Sequence, residues 1–107
     1  MTVRIEVYQT ADGKQPFTHW LRGLKDEQAR SRIRVRMARL QLGNHGDCKS
    51  VGGGLLELRI DHGPGYRVYL ARRGDALVLL LSGGDKRTQA QDIKQARAFL
   101  ADYEQRV

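Results

Sequence analysis

The chain has 107 residues, enough for one domain with a modest core and too few for two. With 40% hydrophobic residues it reads as globular, and 19 Lys and Arg against 12 Asp and Glu give a formal charge of +7, which favours a polyanion or an acidic protein as partner. Its single cysteine, Cys48, excludes an intramolecular disulfide and any cysteine-based metal site. The segment MTVRIEVYQT has no apolar signal stretch and no run approaches the ~20 residues of a membrane helix, so a cytoplasmic protein with no membrane partner is expected.

Val3, Ile5 and Val7 alternate with Arg4 and Glu6, which predicts a half-buried first strand. Ala11-Asp12-Gly13 then turns the chain, and Pro16 suits the first turn of a short helix running to Leu24. Phe17, Trp20, Leu21 and Leu24 lie on one face of that helix. Residues 26–42 predict a second helix with Ala29, Ile33, Met37 and Leu40 inward. Arg30, Arg32, Arg34, Arg36 and Arg39 scatter around its remainder, as on a solvated surface. Residues 43–54 are Gly-rich and polar and read as a loop, with Cys48 an incidental thiol.

Three further strands are expected at Leu55 to Ile60, Tyr66 to Arg72 and Ala76 to Ser82. The tight connections Asp61-His62-Gly63-Pro64-Gly65 and Arg73-Gly74-Asp75 make them an antiparallel meander. The run ALVLLL suggests a strand covered on both faces. Thr88 and Gln91 have capping-box spacing ahead of a closing helix whose inner face carries Ile93, Ala96, Leu100 and Tyr103. The order is β-α-α-β-β-β-α, a single α+β domain over residues 1–107.

Strand parity sends Leu56, Leu58 and Ile60 to the core and Glu57 and Arg59 to the opposite face, while Arg67 and Tyr69 oppose Tyr66 and Val68. With the strands adjacent, Arg59, Arg67 and the following Lys86 and Arg87 can converge on an exposed sheet face suited to a phosphate backbone. Arg67 can offer a planar fork to two phosphate oxygens or pair with Glu57 or Asp61. Lys86 and Arg87 can contact the phosphate or donate a proton, or else pair with Asp85. Glu57 suits an orienting salt bridge more than a base. Tyr69 can stack on a nucleobase or pack in the core. His62 has acid–base character and could meet RNA, although a turn histidine is more often a spectator. No metal-ligand pattern appears, and no metal or cofactor is expected.

The segments ELRIDHGPGYRVYL and LLLSGGDKRTQAQDIKQA, in that order, resemble the addiction-module killer proteins, a HigB-like branch of the RelE/ParE toxin superfamily. The resemblance implies a RelE-like fold: a small, mostly antiparallel sheet with two N-terminal helices on one side, a C-terminal helix and an RNA-facing surface. It implies the toxin of a type II toxin–antitoxin pair that cleaves mRNA on the ribosome without a metal. The implied partners are mRNA, the ribosome and a helix-turn-helix antitoxin encoded next to it. Arg67 matches the arginine of the family's GYR motif, and Lys86 and Arg87 fall in its second basic segment. Gln91, Asp92 and Ile93 stand where RelE-like nucleases carry a tyrosine. Two alternatives share the resemblance or the charge: a ParE-like inhibitor of DNA gyrase that is no nuclease, and a basic RNA-binding module without chemistry.

Overall fold

The computed structural model describes residues 2–106. Strand β1 (Arg4–Val7) precedes helices α1 (Pro16–Gly23) and α2 (Glu27–Gln41). Strands β2 (Cys48–Gly52), β3 (Leu55–Ile60), β4 (Tyr66–Arg73) and β5 (Leu77–Asp85) follow. A 3₁₀ turn (Lys86–Thr88) leads into α3 (Gln89–Arg106). The sheet order is β1-β5-β4-β3-β2, antiparallel throughout except for β1, which runs parallel to β5. The α+β class and the three helices are as the sequence predicts, with one strand more.

That strand is β2, inside the segment read as a loop. It is an edge strand that pairs only with β3, so it needs little hydrophobic patterning, and CKSVG shows little. Its register sets Lys49 directly opposite Glu57, hence on the same face.

The sheet is sandwiched. On one face Phe17, Ala29, Ile33 and Leu40 from α1 and α2 pack against Leu58, Ile60, Tyr66, Val68, Leu70, Val78 and Leu80. On the other, Ala96 and Leu100 of α3 cover Tyr8, Leu55, Tyr69, Ala71, Leu79 and Leu81. Strand β5 feeds both cores, which is why its residues are apolar at both parities. Full burial of Leu79 or Leu80 contributes about 1.5–3 kcal/mol relative to exposure.

A bulge between β4 and β5 gives the SGGD segment its meaning. Tyr69 pairs with Ser82 but Leu70 pairs with Leu80, so Leu81 is the extra residue and the parity of β5 shifts there. Beyond it Gly83 and Gly84 face opposite helices. A Cβ on Gly83 would lie 2.2–2.4 Å from three atoms of the Trp20 ring on α1. A Cβ on Gly84 would lie 1.8 Å from the Asp92 carboxylate on α3. Neither glycine has positive φ, so both are there for space.

Two local expectations are corrected. The entry to α3 does not use a Thr88–Gln91 capping box: the Thr88 hydroxyl donates to Asp92 Oδ2 at 2.5 Å, and Asp85 caps the 3₁₀ turn by accepting from the Arg87 backbone N–H at 2.8 Å. Nor is Arg36 a free surface charge. Its guanidinium donates to the carbonyls of Arg59 and, at 3.2 Å, His45, tying α2 to the strands beneath the site.

Candidate nucleic-acid interface

Register alone sets out the site. Arg59, Arg67 and Gly84 lie side by side across β3, β4 and β5, and Glu57, Tyr69 and Ser82 form the next row on the same face. Helix α3 roofs the second row and, through Asp92, the Gly84 end of the first. The sequence expects this face to be open. The structure instead leaves Glu57 and Tyr69 0% exposed and Arg67 9%.

Glu57 organises the arginines. Its Oε1 accepts from Arg59 Nε at 3.1 Å. Its Oε2 accepts from the Tyr69 hydroxyl at 3.1 Å and from Gln89 Nε2 at 2.8 Å, and lies 3.5 Å from Arg67 Nε. Burial by itself would raise the Glu57 pKa, but the hydrogen bonds from Gln89, Arg59 and Tyr69 and the Arg67 charge outweigh it and hold the carboxyl below its usual range. The same burial, then the Glu57 charge, pushes the Tyr69 phenol well above its ordinary value. Glu57 therefore stays ionised and Tyr69 protonated at neutral pH.

Beyond the end of α3 opens a cleft of about 270 Å³, lined by Asp47, Arg59, Ile60, Asp61, Gly65, Tyr66, Arg67 and Lys86. The Gly65 carbonyl draws its walls together, accepting from the Lys86 backbone N–H at 3.0 Å and from Arg67 Nη1 at 3.4 Å. Arg67 is poorly satisfied for so buried a group. Its Nε–H sits at ion-pair distance from Glu57 without a hydrogen-bond acceptor, and the Gly65 contact is long. Lys86 is exposed and makes no ion pair among the described residues, because Asp85 is taken by Arg87 at 2.9 Å.

Of the candidates read from the sequence, Arg59, Arg67 and Lys86 come together at the cleft, with Glu57 behind them. Three are placed otherwise. Arg87 is paired with Asp85 and does not line the cleft. His62 turns toward α2, its Nε2 2.9 Å from Asp26 Oδ2 at the helix N-cap, where it lowers the Asp26 pKa. Tyr69 is enclosed under α3 and has no ring face to offer a base, so its expected stacking role is replaced by packing and by its bond to Glu57. Cys48 is half-buried, and burial raises its thiol pKa, which suits a packing residue.

Several residues enter only with the structure. Gln89 completes the donor set of Glu57, and no sequence signal marks it. Asp47 and Asp61 line the cleft, and neither carboxylate has a hydrogen-bond or ion-pair partner among the described residues. Size does not identify this site: a larger groove of about 680 Å³ lies between the β1–α1 loop and α3, but its Lys14 is 3.8 Å from Asp12 and it has no arginine. Among the described residues no group of three or more His, Cys, Asp or Glu could hold a metal, and no helix is long and apolar enough to cross a membrane.

A small α+β protein with a sandwiched sheet and a cationic cleft at the mouth of its last helix is the class that fold and site define. Residues 19–103 match the family described as "Phage derived protein Gp49-like (DUF891)", and the chain belongs to that family. This family is part of the RelE-type toxin–antitoxin superfamily, which places the chain among toxin–antitoxin toxins in general. It is also 52% identical over 97 residues to a Haemophilus influenzae (strain Rd) protein described as "Uncharacterized protein", a match covering 91% of this chain and 92% of that one.

Proposed function

We propose that the chain is a HigB-like toxin that cleaves mRNA on the ribosome, without a metal ion in the chemical step, and that a helix-turn-helix antitoxin encoded beside it holds it in check in the cytoplasm. The observation that carries this reading is Arg67: a nearly buried guanidinium that lines the cleft, its Nε held beside Glu57 and its Nη1 engaged only by a long bond to the Gly65 carbonyl.

The chemistry needs three services. The RNA 2′-oxygen attacks the adjacent phosphorus and gives up its proton, the phosphorane carries extra negative charge, and the P–O5′ bond breaks as the 5′-oxygen gains a proton. In this reading Arg67 and Arg59 hold the phosphorane oxygens. Lys86, at the cleft lip, can protonate the 5′-oxygen. Glu57 is a positioning residue, because its oxygens are occupied by Arg59, Tyr69, Gln89 and Arg67. Asp47 and Asp61 are the carboxylates left free in the cleft to take the 2′-hydroxyl proton. Of Gln91, Asp92 and Ile93, which stand where the RelE-type tyrosine is expected, Asp92 packs against Gly84 and accepts from Thr88.

The test is purified protein in a reconstituted translation system, alongside free mRNA and a gyrase supercoiling assay. Cleavage of translated mRNA with gyrase unaffected is the expected result. Gyrase inhibition with intact mRNA would give the ParE-like alternative, and RNA binding without either effect would leave a binding module.

A further inference from the structure

Strand β2, unforeseen in the sequence, extends the cationic face past the cleft. Lys49 stands opposite Glu57 on the α3 side of the sheet and is exposed. From Arg59 it is one strand spacing away, about 4.8 Å, and two residues along, about 6.6 Å. Across from it runs the flank of α3. The Arg97 guanidinium donates to the Val51 carbonyl and lies over the Gly52-Gly53 turn, where added Cβ atoms would come within 3.4 and 3.8 Å of it. Lys94, three residues earlier, shares that flank one turn nearer the cleft and is exposed. Lys49, Lys94 and Arg97 make no ion pair among the described residues. Asp47 is the carboxylate beside this strip, at its cleft end.

We propose that Lys49, Lys94 and Arg97 form a second binding segment for single-stranded RNA, a track that receives the backbone phosphates flanking the one in the cleft. The proposal rests on the RNA reading above. An ordinary solvated surface would intersperse the two signs of charge, whereas here cations without ion-pair partners among the described residues continue from the cleft along β2 and the flank of α3 that Arg97 ties to it. A flexible phosphodiester chain, with a charge at every nucleotide, matches such a strip better than a compact anion does.

The test measures binding of 2′-O-methyl RNA, which cannot be cut, to the whole protein across a salt series. One ligand is about twelve nucleotides long, within the range that a single-strand groove covers. The other is a trinucleotide that fills the cleft alone, followed by chemical-shift titration. Lys49→Glu with Lys94→Glu should weaken the long RNA at least about tenfold and leave the trinucleotide unchanged. The milder Lys49→Gln with Lys94→Gln should lower the salt slope for the long RNA by about 1.4, roughly 0.7 per lost phosphate contact, and guards against misfolding of the first pair. An unchanged slope, or equal loss on both ligands, overturns the track. So does loss of antitoxin binding with RNA affinity intact, which would assign the strip to a protein. The two readings fail separately: length-dependent binding without cleavage keeps the track and removes the nuclease, whereas cleavage with unchanged binding does the reverse.

Discussion

Replacing Glu57 by glutamine keeps the side chain's shape and removes its charge beneath two arginines. Glu57 is fully buried and the Arg67 side chain is only 10% exposed, so that pair is inside the protein, where removing one partner costs about 3–5 kcal/mol. The Arg59 side chain is 36% exposed and its share is screened to about 1 kcal/mol or less. Glutamine retains a carbonyl that can accept from Tyr69 or Gln89, which offsets about 1 kcal/mol. The expected net loss is about 3 kcal/mol, or a fall in Tm of roughly 10–15 °C for a domain of this size. Thermal and urea denaturation followed by far-UV circular dichroism at pH 7 would read it. The pH profile supplies a second signature. Because the folded pKa of Glu57 lies below its unfolded value of about 4.3, its stabilisation is present above that value and is lost as pH falls through the folded pKa. Wild type should therefore lose more stability than the glutamine variant below about pH 4. A loss under about 1 kcal/mol at pH 7, or parallel acid profiles, would refute the anchoring role assigned to Glu57.

Lys86→Ala, at an exposed and unpaired residue, should change stability by no more than about 0.5 kcal/mol yet slow RNA cleavage about 100-fold, read by denaturation and a cleavage time course. Arg67→Ala should abolish growth arrest while costing about 1–3 kcal/mol, since Glu57 keeps Arg59, Tyr69 and Gln89; full toxicity in a folded variant would remove Arg67 from the site. Gly83→Ala should destabilise by about 2–3 kcal/mol through the Trp20 ring, on the face opposite the cleft, and denaturation showing no loss would contradict the packing given for that glycine.

Local pattern carried most of the fold. Helical stripes such as Ala29, Ile33, Met37 and Leu40 face the core as spaced, and parity separated Glu57, Arg59, Arg67 and Tyr69 from their strand neighbours. Parity names a face but not what covers it. The burial of Glu57 and Tyr69 follows from where α3 docks, a tertiary fact with no signature near residue 57. Strand β2 stayed hidden because an edge strand solvated along one side needs no apolar alternation, and Lys49 was hidden with it. The charged turn after β5 could not be resolved from residue types, since Asp85 could pair with Lys86 or Arg87; the cap geometry of the 3₁₀ turn decides for Arg87 and leaves Lys86 free. The partner of His62 lies 36 positions away at the α2 N-cap, beyond any local reading.

The chemistry of the new RNA end tests the central claim most directly. mRNA cut in a translating extract by wild-type protein should end in a 2′,3′-cyclic or 3′-phosphate, because in the proposed mechanism the attacking group is the RNA's own 2′-hydroxyl and the cleft lined by Arg59, Arg67 and Lys86 serves the phosphorane that this attack would form. A 2′-O-methyl group at the cut site should abolish the product. Fragments ending in a 3′-hydroxyl, or undiminished cutting of the methylated message, would contradict the account.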